Sequence, residues 1–285
     1  MADSERAGNS PTRGSLKLLV VLAHPDDESL GLGGILARYA AEGVDIHLVT
    51  ATRGEGGRFH EHRDGPDHPG RARLGEIREG ELRAAARVLG IRDVVLLGYP
   101  DGNLDAVDPS EIHAAIVSHI RRFRPHVVIT FSPDGSYGHP DHIAICQFTT
   151  AAVVAAADPG HGQGEPYAVP KLYYFVNSPA RMAAYQEAFK KLTSKVDGVE
   201  REANPWPEWE ITTVIETRAY MDTVWKAIFC HESQISVFGK LRSLDPAHQE
   251  ALWGSQELYR AMSTVNGGRK RERDLFEGIP EAVRA

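Results

Sequence analysis

Cysteine is scarce. Cys146 and Cys230 are the only two among 285 residues, and they form neither a CxxC pair nor a disulfide framework. That usage fits a reducing cytoplasm. No stretch approaches the ~18 consecutive apolar residues that would suggest a membrane span. Residues 1–14 lack the apolar centre of a secretory signal and read as a disordered polar tail. Positive charge is not in excess: 32 Lys and Arg against 39 Asp and Glu give a net charge of −7, which argues against a general nucleic-acid binder. There is no internal repeat, no interdomain linker and no GxGxxG dinucleotide fingerprint. Gly31-Leu32-Gly33-Gly34 has a different spacing, and its glycines read as permitting close packing of a helix.

What is present is an alternation of strand and helix signals. The run Leu16–Ala23 is almost wholly apolar, as expected of a strand covered on both faces. A helix over 30–42 follows, with Leu32, Ile35, Leu36 and Tyr39 at helical spacing and Gly43 as its stop. Val44–Thr50 is the next strand, so a βαβ unit is complete. After a polar, Gly-rich loop over 53–71 containing His60, His62 and His68, a helix covers 72–89, a strand 93–97, a helix 109–122 and a strand 126–131. A polar turn and an Ala-rich helix over about 140–157 close this half. Beyond 158 the regularity weakens. The pattern predicts a loop to 169, a strand over 171–176, a helix over 179–192, an irregular stretch over 193–210 with Trp206 and Trp209, a strand over 211–215, a helix over 217–230, a helical stretch over 245–262 and a charged end. The expectation is an α/β fold, one doubly wound, mainly parallel sheet with helices on both faces. Its single domain spans 15–265, with 158–210 as a substrate-side excursion and 266–285 as a charged tail.

Three polar clusters fall at predicted strand ends, where open α/β sheets bind their ligands: His24-Pro25-Asp26-Asp27-Glu28, Asp101, and the stretch from Ser132 that ends in His139-Pro140-Asp141-His142. A catalytic zinc takes three protein ligands and keeps one position open. His24, one of Asp26 and Asp27, and one of His139 and His142 would supply two nitrogens and an oxygen. The remaining aspartate could serve as general base, and Asp141 could orient a histidine. Spacing alone leaves both choices open. Either cluster by itself reads as an ordinary Asx-type turn; two of them at strand ends do not. The triplet Pro66-Asp67-His68 repeats Pro140-Asp141-His142 with no strand before it, and reads as solvated loop. The two-histidine, one-carboxylate set also fits non-haem iron oxygenases, but those sites usually sit in all-β jelly rolls.

Ala23-His24-Pro25-Asp26-Asp27-Glu28 together with His139-Pro140-Asp141-His142 resembles the PIG-L/LmbE-type zinc de-N-acetylases, including the deacetylases of mycothiol and bacillithiol synthesis. Weaker matches extend over most of 16–235: Gly75-Glu76-Ile77-Arg78 with Glu81 and Leu82, Gly98 to Gly102, and His231-Glu232-Ser233-Gln234. The resemblance implies a Rossmann-like fold and hydrolysis of an N-acetyl group from an N-acetylglucosamine-type conjugate. It implies His24, Asp27 and His142 on Zn2+, Asp26 as general base, and His139, supported by Asp141, as oxyanion stabiliser or proton donor to the leaving amine. It implies Tyr137 as polarising the amide carbonyl, and Arg78, Asp101 and Glu55 as substrate contacts. For Arg78 a helix-surface ion pair is the rival, and Fe2+ suits the same ligand set. Glu28 has no catalytic role and is expected to bond within its turn or to the adjacent helix. The expected partner is a small amino-sugar conjugate, with no nucleic acid and no membrane span; a homo-oligomer is left open. Two other readings stand beside it: an amidase of a thiol-sugar conjugate, and a non-catalytic sugar-binding module.

Overall fold

A computed structural model describes residues 16–60, 65–190, 193–196, 198–202, 204–268 and 270–280; the expected disordered tail at 1–14 and His62 lie outside them. The chain runs β1 (Lys17–Leu22), α1 (Asp27–Ala41), β2 (Asp45–Thr52), α2 (Arg71–Leu89), β3 (Asp93–Tyr99), α3 (Pro109–Phe123), β4 (Val127–Phe131), a single turn α4 (Gly135–Gly138) and α5 (Pro140–Ala156). It continues through β5 (Lys171–Phe175), α6 (Pro179–Phe189), the hairpin β6 (Thr193–Val196) and β7 (Val199–Glu202), β8 (Thr213–Glu216), α7 (Met221–Ile228), α8 (Ile235–Arg242), α9 (Pro246–Trp253) and β9 (Ser255–Ser263). The main sheet has the order β3-β2-β1-β4-β5-β9-β8. Strands β1 to β5 are parallel, while β9 lies antiparallel to both β5 and β8. The α/β, mainly parallel expectation is met.

β1 is central because its apolar run can be buried on both sides. It pairs with β2 from Lys17↔Asp45 to Leu22↔Thr50, and with β4 from Leu18↔Val127 to Val20↔Ile129. The chain winds outward through β2 and β3, then crosses back to β4 on the other side of β1. The sheet's switch point is therefore the gap between the carboxyl ends of β1 and β4, where a crevice opens. α1 packs on α2 and α7, and α3 on α5. Helix α1 fits closely because of its glycines: a Cβ on Gly34 would lie 2.6 Å from Cβ of Thr217, and one on Gly31 3.2 Å from Cζ of Phe175.

Four expectations change. The stretch over 245–262 is not one helix: α9 stops at Trp253 and β9 follows. Its Glu, Leu, Ala and Met residues favour a helix locally, but pairing with β5 and β8 overrides propensity. Residues 193–196 and 199–202 pair as an antiparallel hairpin rather than an irregular stretch, with Gly198 at positive φ between them. The charged end is docked over its described residues: Leu275, Phe276 and Ile279 are buried, and Leu275 N donates to the Tyr39 hydroxyl at 2.8 Å. Within that segment Glu272 accepts from Lys171 Nζ at 2.6 Å and from the Tyr173 hydroxyl at 2.7 Å. The 158–210 excursion is also too wide. Residues 171–175 are sheet, and carbonyls of residues 158, 163 and 164 are held by Arg121. Among the described residues of that range, those lining the cavity at the switch point lie between Phe175 and Lys195.

Candidate active site and metal centre

The end of β1 delivers His24 and turns at once into α1. Asp26 is the residue before the helix and sits at φ 101°, ψ −26°. A non-glycine in this left-handed region is strained, and such strain persists where surroundings over-determine it. Asp27 and Glu28 occupy the first turn, where the helix dipole favours negative charge. The end of β4 delivers α4, again strained at Ser136 (φ 67°), and then α5, with His139 as its N-cap and Pro140 in its first turn.

These elements bring His24, Asp27 and His142 together. Nδ1 of His24 lies 3.2 Å from Nε2 of His142. The Asp27 carboxylate lies 3.6 Å from the first and 3.5 Å from the second. The opposite ring nitrogens are already committed. Nε2 of His24 meets Asp141 at 3.0 Å and Asp101 at 3.1 Å, and Nδ1 of His142 meets the Gly135 carbonyl at 3.2 Å. Those partners are acceptors, so each outer nitrogen carries the proton and the two inner nitrogens present lone pairs to one another beside a carboxylate. Such a set suits a cation. Bonds of about 2.0–2.1 Å in a tetrahedral zinc site separate the ligand atoms by about 3.3 Å, close to the spacings found. Charge agrees: burial works to lower the His24 pKa, yet the Asp101, Asp141 and Asp27 carboxylates raise it well above the usual value, so without a metal they hold a proton on the inner nitrogen, in the place a cation would take. Burial would raise the Asp27 carboxyl, but the facing His142 and His24 rings hold it at about 2. Burial pushes His142 down to about 3, and its ring stacks on Phe131 at 3.8 Å.

His139 also brings a ring nitrogen within 4.8 Å of ligand atoms of His24 and His142. Its Nδ1, however, accepts the Asp141 backbone N–H at 3.2 Å, which leaves Nε2 for the proton. Burial lowers the His139 pKa, with the neighbouring His24 adding to it. Tyr137 faces the His139 and His142 rings at 5.8 and 5.3 Å. Burial raises its pKa, and Asp27 and Asp26 raise it further, so it stays a phenol.

Around this core the structure redistributes several expected roles. Asp141 is fully buried; it supports the His139 ring only through its backbone N–H, while its carboxylate holds His24 and accepts from Gly102 N at 2.7 Å and Leu104 N at 3.0 Å. Asp101, expected on substrate, shares the His24 Nε2 and accepts from Gly56 N at 2.7 Å, although it still lines the cavity. Arg78 is neither a surface ion pair nor an open substrate contact. It is 4% exposed, and its guanidinium donates to Asp26 Oδ2 at 2.7 Å, to Gly54 O at 2.7 Å and to Pro25 O. A Cβ on Gly54 would collide with that guanidinium. Glu55 accepts from Asp101 N at 2.9 Å and braces the loop. Burial raises the Asp26 carboxyl to about 7; Arg78 opposes this and Asp27 reinforces it. Of the control triplet, Pro66 and Asp67 are exposed as expected, while His68 is half-buried.

The site opens into a cavity of about 1120 Å³. Its lining includes Asp26, Tyr137 and His139, a wall of Tyr185, Phe189 and Phe238, and the basic residues Arg58, Arg71, Lys195 and Lys240. Sequence reasoning gave no role to these cations or to Glu28 and His231. The cations carry no local signature, because α8 and the hairpin that bring Lys240 and Lys195 are distant in the chain. Glu28 does bond within its turn, as expected, to Asp26 N and the Ser29 hydroxyl, but it also meets His231.

Comparison with known proteins places the chain. Residues 19–153 match the PIG-L family, described as GlcNAc-PI de-N-acetylase. A 1D-myo-inositol 2-acetamido-2-deoxy-alpha-D-glucopyranoside deacetylase of Rhodococcus jostii is 37% identical over 294 residues, covering 92% of this chain and 98% of that protein. Among solved structures, N,N'-diacetylchitobiose deacetylase from Pyrococcus horikoshii shares the fold with a TM-score of 0.65 at 19% identity, over 88% of this chain and 86% of that one. The 4-carboxy-2-hydroxymuconate hydratase GalB of Pseudomonas putida shares it equally, with a TM-score of 0.66 at 20% identity over 89% and 99%, so the fold alone does not name a reaction. With a relative of this identity aligned over nearly the whole chain, and with its two motifs meeting at the switch point, the chain belongs to the PIG-L family of de-N-acetylases.

Proposed function

We propose that this protein is a zinc-dependent de-N-acetylase that hydrolyses the acetamide of an N-acetylglucosaminyl conjugate of the kind named for its relatives, releasing acetate and a free amine. The observation that carries the reading is the meeting of His24 Nδ1, His142 Nε2 and the Asp27 carboxylate, 3.2–3.6 Å apart, beside Asp26 in a large cavity. His24, Asp27 and His142 would hold the zinc, which when bound acidifies water and polarises a carbonyl.

The chain's own residues do the rest. Asp26, with a carboxyl pKa near 7, is matched to accept a proton from the attacking water at neutral pH. When the C–N bond breaks, the same proton passes from Asp26 to the departing amine, and the carboxylate is restored. His139 is neutral with its proton on Nε2, the tautomer set by the Asp141 N–H, and donates a hydrogen bond to the developing oxyanion. Of the two roles the resemblance offers His139, this tautomer supports the oxyanion one. The Tyr137 phenol is a second donor to the same oxygen. Asp101 and Asp141 hold the His24 ring, a support that orients a ligand and raises its basicity. Iron(II) suits the same donors.

At about 1120 Å³ the cavity slightly exceeds the roughly 300–1,000 Å³ of small-molecule sites, which favours a sugar carrying an aglycone over a bare monosaccharide. The test is acetate release from a panel of N-acetylglucosaminyl conjugates, the inositol glycoside among them, with larger thiol-conjugate amides in parallel and metal analysis on the same preparation. Release of acetate with about one zinc per chain is expected. Metal-loaded protein that cleaves only the larger amides, or none, overturns the reading.

A further inference from the structure

We propose that His231 is a positioning residue for this reaction: acting through Glu28, it holds the strained backbone of Asp26 so that its carboxylate faces the cavity. This rests on the reading of Asp26 as the base. His231 Nε2 lies 2.8 Å from Glu28 Oε1, and Glu28 Oε2 accepts the backbone N–H of Asp26 at 3.0 Å. A histidine 203 residues away in the chain and two residues of the turn thus form one line that ends on the peptide whose φ is 101°.

Four observations support positioning over simple packing. His231 and Glu28 are both fully buried, and burying an imidazole and a carboxylate is costly unless each is bonded. An apolar residue would fill the same space without that cost. Neither side chain lines the cavity, so neither is available to substrate. His231 Nδ1 has no hydrogen-bond partner among the described residues; its polar contacts are Glu28 and, at 3.4 Å, the Ser29 hydroxyl, so the ring's polarity is spent on this turn. The segment carrying His231 is itself fastened to α2, where Ser233 donates from N and Oγ to the two oxygens of Glu81 at 2.6 and 2.7 Å. Arg78 stands one helical turn before Glu81 on that helix. Helix α2 therefore grips Asp26 from two directions: Arg78 bonds the carboxylate directly, and Glu81, Ser233, His231 and Glu28 in sequence fix the backbone behind it. A backbone this strained needs such over-determination.

The test compares His231→Gln with His231→Met in the full-length, zinc-loaded protein. The two side chains have nearly the same shape, but only Gln can donate to Glu28. Expected for His231→Met is a kcat reduced about 10- to 100-fold, the scale for groups that hold a reacting centre from behind, with KM within about twofold and zinc content unchanged. His231→Gln is expected to recover most of kcat, with kinetics read at a temperature at which both variants are fully folded, because leaving Glu28 buried without a donor lowers the melting temperature of the Met variant. Wild-type kcat in His231→Met, loss of zinc along with activity, or equal loss in both variants overturns the proposal. Should His231→Met not fold, His231→Asn, whose shorter amide cannot reach Glu28, takes its place under the same criteria. Asp26→Asn in parallel separates the two levels. Full turnover there removes the base assignment itself, whereas an inactive Asp26→Asn beside a fully active His231→Met removes only the role of His231.

Discussion

Arg78 Nη2 donates to Oδ2 of Asp26 at 2.7 Å, with the two side chains 5% and 16% exposed. The pair links the middle of α2 to the turn at the end of β1, and its guanidinium also satisfies two carbonyls. Removing one partner of a buried pair strands the other. Arg78→Met is expected to lower kcat by at least about tenfold and to destabilise the fold by about 3–5 kcal/mol. Arg78→Lys should fall between, because an ammonium cannot span the same three acceptors as a planar fork. Kinetics and thermal melts on the three proteins check the order; an Arg78→Met enzyme with normal turnover contradicts it.

Asp141 should act through metal affinity rather than through the proton. Its Oδ2 meets His24 Nε2 at 3.0 Å, the ring whose other nitrogen faces the proposed ligand set. Asp141→Asn is expected to weaken zinc binding about 10- to 100-fold, so that activity lost at limiting zinc returns with excess zinc. Asp26→Asn should stay inactive at any zinc concentration. Zinc titrations of activity distinguish the two, and an Asp141→Asn enzyme that excess metal does not rescue refutes the assignment.

Glu272 gives a pH-dependent contribution to stability away from the site. Burial would raise its pKa, but bonds from Lys171, Asn266, Tyr173 and Thr213 hold it at about 2. The folded value is depressed below the ordinary ~4.3 of an unfolded glutamate. The stabilisation is therefore complete above about pH 4.5 and is lost as pH falls toward 2. Glu272→Gln should melt well below the wild type at pH 7, and the gap should narrow steadily under pH 4.5. A gap that stays constant down to pH 3 is incompatible with this account.

Two helix glycines should respond in opposite directions. A Cβ at Gly34 would meet Thr217 at 2.6 Å, whereas one at Gly80, on the exposed face of α2, meets nothing within 4 Å. Gly34→Ala is expected to destabilise by about 1–3 kcal/mol through overpacking, and Gly80→Ala to stabilise by up to about 1 kcal/mol through helix propensity. Thermal melts of both variants settle the matter, and stabilisation by Gly34→Ala would show that α1 can shift away from Thr217.

Much of the fold was legible locally. The apolar run of β1, the helical spacing of α1 and the Gly43 stop are written in consecutive residues, because burial on both sheet faces and a 3.6-residue repeat leave periodic marks. So were the two halves of the site, since polar residues packed into short turns after apolar strands are conspicuous. The local signal failed for β9, whose residues favour a helix until β5 and β8 pair with them, and for Leu275, Phe276 and Ile279, which look like scattered apolar residues in a charged end until α1 offers Tyr39 and its surroundings. It failed also for the division of labour behind the ligands. That the Asp141 carboxylate bonds His24 while only its backbone N–H meets the His139 ring, that Arg78 holds Asp26 and not substrate, and that His231 reaches Glu28 across 203 residues of chain are matters of which groups meet. The sequence by itself determined the doubly wound architecture and the chemical types gathered at His24 to Glu28 and His139 to His142. The tertiary structure alone decided how those groups pair, because hydrogen bonds and burial act over a few ångströms in space while their partners are spread over the whole chain.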